Sequence, residues 1–251
     1  MVSIASPCVS RPALGLAYAW SGVAAMWAVW ICFVVFLAAP RHWLAFWPLP
    51  IVDHGGTLSG PFAALVDLGL VMLFGLQHSV MARPWFKERI VGRLPPPFER
   101  CTYVHMANLA LFALIALWQP IPSEVWNVGS VFAREAMWAL FAIGWIILFL
   151  GAWSFGIRDL LGIRQMQAWA HGEPQPRRQL KTGWLYRWLR HPMYVGVLLG
   201  VWATPRMTLG HALLALGLPD RSAKQQGYRE FVKDLRSIRR VAAALDTLSR
   251  P

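Results

Sequence analysis

Charge is what this chain has least of. Asp, Glu, Lys and Arg make up 14% of its 251 residues, against roughly 25% in a soluble domain. Acids are the scarcer half, 12 Asp and Glu against 24 Lys and Arg, and no two glutamates are adjacent. Cysteine is nearly absent. Cys8, Cys32 and Cys101 form no CxxC pair, so neither a disulfide framework nor a zinc pattern is written in the chain. There is no GxGxxG or Walker loop, which excludes the soluble nucleotide folds that need one. There is no GxSxG elbow. No helix pattern carries the i, i+4 histidine pair of a metalloprotease.

What is present is apolar. Hydrophobic residues make up 57% and mean hydropathy is +0.43. Fifteen Trp suit the aromatic belts that form where a membrane meets water. The expectation is an all-α, multi-span transmembrane bundle of four spans plus a C-terminal helical hairpin. Residues 1–218 make a single domain and residues 219–251 a basic cytoplasmic tail. The four runs are Leu14 to Ala39, Phe62 to Ala82, Thr102 to Gln119 and Glu135 to Phe155. The first is read as a retained anchor.

Net charge +12 invites a nucleic-acid reading, but the cations lie between apolar runs and not as a stripe on a polar face. Their distribution orders the topology instead. Loops 83–101 and 157–190 hold five and seven Lys or Arg, whereas loops 40–61 and 120–134 hold one each. The positive-inside rule puts the N-terminus and the two basic loops in the cytoplasm. Within the second basic loop, Leu160, Leu161, Ile163, Met166 and Trp169 alternate with polar residues, the pattern of an amphipathic helix lying on the membrane. Glu173-Pro174-Gln175-Pro176 ends it. A second amphipathic stretch, Glu230 to Leu248, reads as a surface helix on anionic lipid.

Polar groups inside spans are functional hypotheses by default. Run two contains Asp67, Gln77 and His78. Asp67, Val71, Phe74 and His78 share one helical face, expected to look into the bundle. Asp67 and His78 are about 16 Å apart along the axis and cannot pair. His105 and Asn108 open run three at the level of His78. Hydrogen bonding between helices and a ligand role are both open for these groups. His211 follows a turn and reads as structural.

The segment Tyr186-Arg187-Trp188-Leu189-Arg190-His191-Pro192-Met193-Tyr194-Val195-Gly196 joins a cationic, aromatic stretch to an apolar one. Pro192 suits the first turn of a helix, which sets His191 at a helix N-terminus, where backbone N–H groups favour anions. One reading is a site for a carboxylate-bearing ligand at the membrane surface. The other is an interfacial anchor, since Arg, Trp and Tyr gather there anyway. Pro192 to Thr204 is too short to span, about 20 Å of helix. Pro205-Arg206 breaks it before Met207 to Leu218, hence the expected hairpin or kinked helix.

Arg190-His191-Pro192-Met193-Tyr194-Val195-Gly196 resembles the R-H-P-x-Y-x-G signature of integral-membrane methyltransferases of the isoprenylcysteine carboxyl methyltransferase group. Gly75-Leu76-Gln77-His78-Ser79-Val80-Met81-Ala82-Arg83-Pro84, Glu99-Arg100-Cys101-Thr102-Tyr103-Val104, Trp118-Gln119-Pro120-Ile121 and Trp202-Ala203-Thr204-Pro205-Arg206-Met207-Thr208-Leu209-Gly210-His211 narrow the resemblance to the bacterial methanethiol S-methyltransferases. NnrU-type membrane proteins share part of it. It covers roughly residues 62–216.

The resemblance implies methyl transfer from S-adenosyl-L-methionine to methanethiol, giving dimethyl sulfide, in the bacterial inner membrane. It implies Arg190, His191, Pro192, Tyr194 and Gly196 as cofactor residues, and Gln77 and His78 on the side of the small thiol. His78 is then the candidate base and Arg190 the charge stabiliser. Tyr194 or Trp188 offers an aromatic face to the sulfonium. The expected setting is one pouch at the inner leaflet, with lipid beside it and no nucleic acid. Two alternatives stand beside this: an isoprenylcysteine-type or other thiol or carboxyl acceptor, and a non-catalytic NnrU-like accessory protein. The family pattern continues into an acidic pair that helps hold the cofactor's amino group and ribose. Here Pro219-Asp220-Arg221 follows instead, and the end of the chain departs from the family.

Overall fold

The computed structural model describes residues 12–38, 40, 42, 45–89, 94–176, 184–189 and 191–218. In order they form α1 (Pro12–Ala38), α2 (Gly60–Val80), α3 (Pro84–Arg89), α4 (Pro96–Leu117), β1 (Glu124–Asn127), α5 (Val131–Phe155), α6 (Ile157–Leu160), α7 (Ile163–Ala170), α8 (Trp184–Trp188), α9 (Pro192–Trp202), β2 (Arg206–Thr208) and α10 (Leu209–Gly217). Helices α1, α2, α4 and α5 are each long and apolar enough to cross a membrane. The protein is a multi-pass, mainly helical membrane protein, as expected. Outward-facing apolar side chains such as Leu65, Phe132 and Trp153 suit lipid as their solvent. The expected surface helix at 230–248, the tail beyond Leu218 and Arg190 lie outside the described residues.

Contacts divide the chain into two compact units, Met1–Pro122 with Gly156–Leu180, and Ser123–Phe155 with Lys181–Pro251. In the first, α1 and α4 meet along small residues. Gly15, Ala19 and Gly22 are buried on α1. A Cβ on Gly22 would lie 3.2 Å from the His105 Nε2 atom, and one on Gly15 would strike Trp169 and Met166 of α7. Small residues let helix backbones approach where the lipid alternative is as apolar as leucine. The Asn108 amide nitrogen donates to the Gly22 carbonyl over 3.0 Å. Ala19, Cys101, Val104, Leu161, Ile163 and Met166 close the core between α1, α4 and α7.

That last cluster corrects one expectation. The amphipathic stretch at 160–169 is two helices separated by Gly162 at φ +83°. The apolar residues Ile163 and Met166 are buried against the unit's own core, not laid on lipid. A second correction concerns the start of run three, expected at Thr102. Pro96 and Pro97 open α4 with Pro95 as its cap, because the first turn needs no N–H from them. Run three therefore begins six residues early.

At the other end of α2, Asp67 is fully buried. Its Oδ1 accepts from the Gln119 backbone N–H at 2.8 Å. The Gln119 side chain in turn accepts from the N–H groups of Thr57 and Leu58, each at 2.9 Å. The Trp118 indole donates to the Val52 carbonyl at 3.1 Å. Asp67 thus ties α2 to the end of α4, and α4 to the loop behind α1.

In the second unit α5 packs on α9. Gly144, Gly151, Gly196 and Gly200 are all buried. The two helices expected at the C-terminal end are α9 and α10, with β2 in the break between them. β2 pairs antiparallel with β1, Asn127 opposite Arg206 and Glu124 opposite Thr208. Three residues of strand leave no period to read, and their partner is some 80 positions away. The Thr208 hydroxyl caps α10 by accepting from the His211 N–H. The His211 Nε2–H donates to the Val201 carbonyl at 2.9 Å. His211 is structural, as the turn before it suggested.

Candidate functional site

In the first unit the chemistry gathers where α2 ends. Gln77 and His78 occupy its last turn. The His78 ring stacks on Phe74, with centroids 5.7 Å apart and planes 27° apart. From α4, the Tyr103 hydroxyl approaches the His78 Nδ1 to 3.0 Å and the His78 carbonyl to 3.3 Å. The Arg100 guanidinium carbon lies 4.9 Å from the centre of the Tyr103 ring, and the Arg100 Nε–H donates to the Leu160 carbonyl at 2.5 Å. The Gln77 Nε2 donates to the Met81 sulfur at 3.3 Å. Its Oε1 is buried with no hydrogen-bond partner among the described residues. An ion pair of Lys87 with Glu99, 2.7 Å, joins α3 to α4 beside this end.

Two polar residues expected near His78 turn elsewhere. The His105 Nε2 lies 3.0 Å from the Tyr18 carbonyl and 3.4 Å from the Ser21 hydroxyl, and its ring packs on Tyr18 at 4.4 Å. It belongs to the α1–α4 seam. Asn108 does too. The common face of Asp67, Val71, Phe74 and His78 is buried at Asp67 and Val71 and opens towards His78.

In the second unit His191 is the N-cap of α9, with Pro192 at its first position. The His191 side chain makes no capping bond to the helix. It is exposed and meets Tyr194 edge to face at 6.1 Å. Residues three apart share a helical face, so both present polar, aromatic surface at one helix mouth. Pro192 and Gly196 lie on another face, towards α5. A Cβ on Gly196 would fall 2.5 Å from the Leu148 nitrogen and 2.6 Å from the Gly144 carbonyl oxygen. One on Gly151 would meet Pro192 and Met193. Below, the Tyr186 hydroxyl donates to the Gly151 carbonyl at 3.5 Å. Burial pushes the Tyr186 phenol above its ordinary range, so it stays a neutral donor. Trp188 is exposed.

The segment from His191 to Gly200 therefore divides by face along one helix. Pro192, Gly196 and Gly200 recur every four residues and seat α9 on α5. His191 and Tyr194 face away. Sequence reasoning missed Tyr103 as a partner of His78. It stands inside the Glu99–Val104 segment, but only the packing of α2 on α4 brings its hydroxyl to the imidazole.

Four spans, a histidine at the end of one and a proline-started helix mouth define the class: a multi-pass helical membrane protein with polar, aromatic groups at helix ends. The chain is 42% identical over 166 residues to a methanethiol S-methyltransferase of Pseudomonas sp. (strain GM41(2012)), covering 66% of this chain and 64% of that protein. It is 39% identical over 166 residues to the methanethiol S-methyltransferase of Mycobacterium tuberculosis, covering 66% and 68%. It is also 31% identical over 199 residues to nurim of Bos taurus, covering 74% and 73%. No protein-family model and no solved structure matches. The chain belongs to the methanethiol S-methyltransferase family. It spans about two thirds of the length of these curated methyltransferases.

Proposed function

We propose that this protein transfers a methyl group from S-adenosyl-L-methionine to methanethiol, releasing dimethyl sulfide. The reading is carried by identity of 39–42% to relatives named for methanethiol methylation. The donor, when bound, supplies a methyl on a sulfonium, whose C–S bond breaks with its electron pair as the acceptor sulfur bonds the methyl carbon. The residues of α8 and α9 fit such a molecule in two respects. The N-terminus of α9 offers backbone N–H groups to a carboxylate, and the exposed rings of Tyr194 and Trp188 suit a sulfonium. Residues 184–202 contain no acid for an ammonium group.

The roles follow from chemistry. An alkyl thiol is mostly protonated near neutral pH, so His78 accepts the proton as the thiol sulfur becomes a nucleophile and then releases it to water. Gln77 lines the acceptor side beside His78, one position before it on α2. Arg190 and His191 hold the donor's carboxylate, with Tyr194 beside its sulfonium. Pro192 and Gly196 serve by seating the helix. The basic loops favour a cytoplasmic N-terminus in a bacterial cell membrane.

Purified protein in lipid nanodiscs, supplied with methanethiol and S-adenosyl-L-methionine, is expected to release dimethyl sulfide into the headspace. His78→Ala should cut the rate by roughly 10²–10⁴, and His191→Ala should mainly raise the donor KM. Methyl ester formed on a prenylcysteine analogue, with no dimethyl sulfide, would transfer the protein to the carboxyl-methylating group. The missing acidic pair favours a second reading, a non-catalytic membrane protein of the same fold. Donor binding no stronger in the wild type than in His191→Ala would establish it.

A further inference from the structure

We propose that Tyr186 is a positioning residue for the methyl donor. With Gly151 of α5 as a shared footing, it fixes one end of the short segment that joins α8 to α9, and so sets the affinity for the donor. The inference deepens the methyl-transfer reading. It rests on that reading for the identity of the ligand, and on the packing of α5, α8 and α9 for the footing itself.

Local sequence does not hold this segment by itself. α8 is five residues long, too short to be stable as an isolated helix. Arg187, Trp188 and His191 are exposed, so the segment gains little from burial. Residues ordered only when a ligand arrives take their ordering cost out of its affinity. Holding the ends beforehand removes part of that cost.

The fold supplies two holds, and both land on one residue. On the entry side Leu185 is buried, and the Tyr186 ring lies beside Phe155 with centroids 6.4 Å apart. The Tyr186 hydroxyl donates to the Gly151 carbonyl at 3.5 Å. A carbonyl oxygen has two lone pairs, so it can accept this bond beside a helical one. On the exit side the first turn of α9 sits on the same glycine. A Cβ on Gly151 would lie 3.0 Å from the Met193 Cγ atom, 3.2 Å from the Met193 nitrogen and 3.2 Å from the Pro192 Cγ atom. The missing side chain is what lets α9 settle there. Only five residues, 187 to 191, run between the two holds. The Leu189 N–H returns to the Leu185 carbonyl at 2.9 Å, which takes up part of the slack. Because the hydroxyl is engaged with α5, its effect on the ligand passes through the segment and not through contact.

The test is Tyr186→Phe in the full chain in nanodiscs, which keeps the ring beside Phe155 and removes the hydroxyl. Without ligand, deuterium uptake at residues 184–189 should quicken, while uptake in α5 and the unfolding temperature stay near wild type. The Kd for S-adenosyl-L-methionine by calorimetry, and the donor KM, should rise roughly 3- to 10-fold, the size of one lost hydrogen bond. The kcat should not change. Gly151→Ala, which lifts the first turn of α9 from the other side, should raise the donor KM as well. A lower unfolding temperature in Tyr186→Phe with Kd where it was would make the hydroxyl purely structural and overturn the proposal. So would a fall in kcat at constant KM, which would put the phenol in the chemistry. A wild type that binds no S-adenosyl-L-methionine, yet shows the difference in uptake, would sink the methyl-transfer reading and leave the double hold standing.

Discussion

Gly196 illustrates how one residue of a recognisable motif can serve packing. In the sequence it closes the R-H-P-x-Y-x-G pattern and reads as a cofactor position. In the fold its missing side chain is what lets α9 touch the backbone of α5. Gly196→Ala is expected to destabilise the protein by about 1–3 kcal/mol, the usual cost of overpacking a tight core. Thermal unfolding in detergent reads this directly. Donor binding should persist below the new midpoint. Unchanged stability with abolished donor binding would reverse the assignment. Asp67 makes the same point from the polar side. As an ionisable residue in a span it reads as functional, yet its Oδ1 serves a joint, accepting from the Gln119 N–H at the end of α4. Tyr103 is the converse case: it has no signal of its own in the sequence, and packing brings its hydroxyl to the His78 imidazole.

At the scale of elements, α1 and α4 are held by shape more than by polar bonds. His105 and Asn108 both reach backbone carbonyls of α1, but hydrogen bonds between helices in membranes average only about 0.6 kcal/mol and reach about 1.7. His105→Ala and Asn108→Ala should each lower stability by that modest amount, read as a small drop in unfolding temperature. The kcat and KM of the folded fraction should not change. A loss of activity in His105→Ala without loss of stability would return that histidine to the functional site. Elements bounded by proline were legible beforehand: α9 begins at Pro192 as expected, and Pro205 falls in the break after it. Elements that depend on a distant partner were not. Neither the β1–β2 ribbon nor the burial of α7 has a local cause, since one needs a strand 80 residues off and the other needs the stripe of small residues on α1.

For the whole molecule, topology is the property that links charge to function. With native cysteines replaced, Glu173→Cys in the second basic loop should react with a membrane-impermeant maleimide only from the cytoplasmic face of vesicles. Ser130→Cys, in the loop before α5, should react only from the other. Labelling of both from one side would overturn the four-span arrangement. Hydropathy and the alternation of basic loops made the class and the spans readable from residue order, because lipid imposes length and polarity on each segment separately. Packing settled the rest. Which face of α9 is seated, which histidine joins the α1–α4 seam, and which hydroxyl meets His78 depend on contacts between segments far apart in the chain. No local period encodes contacts of that kind.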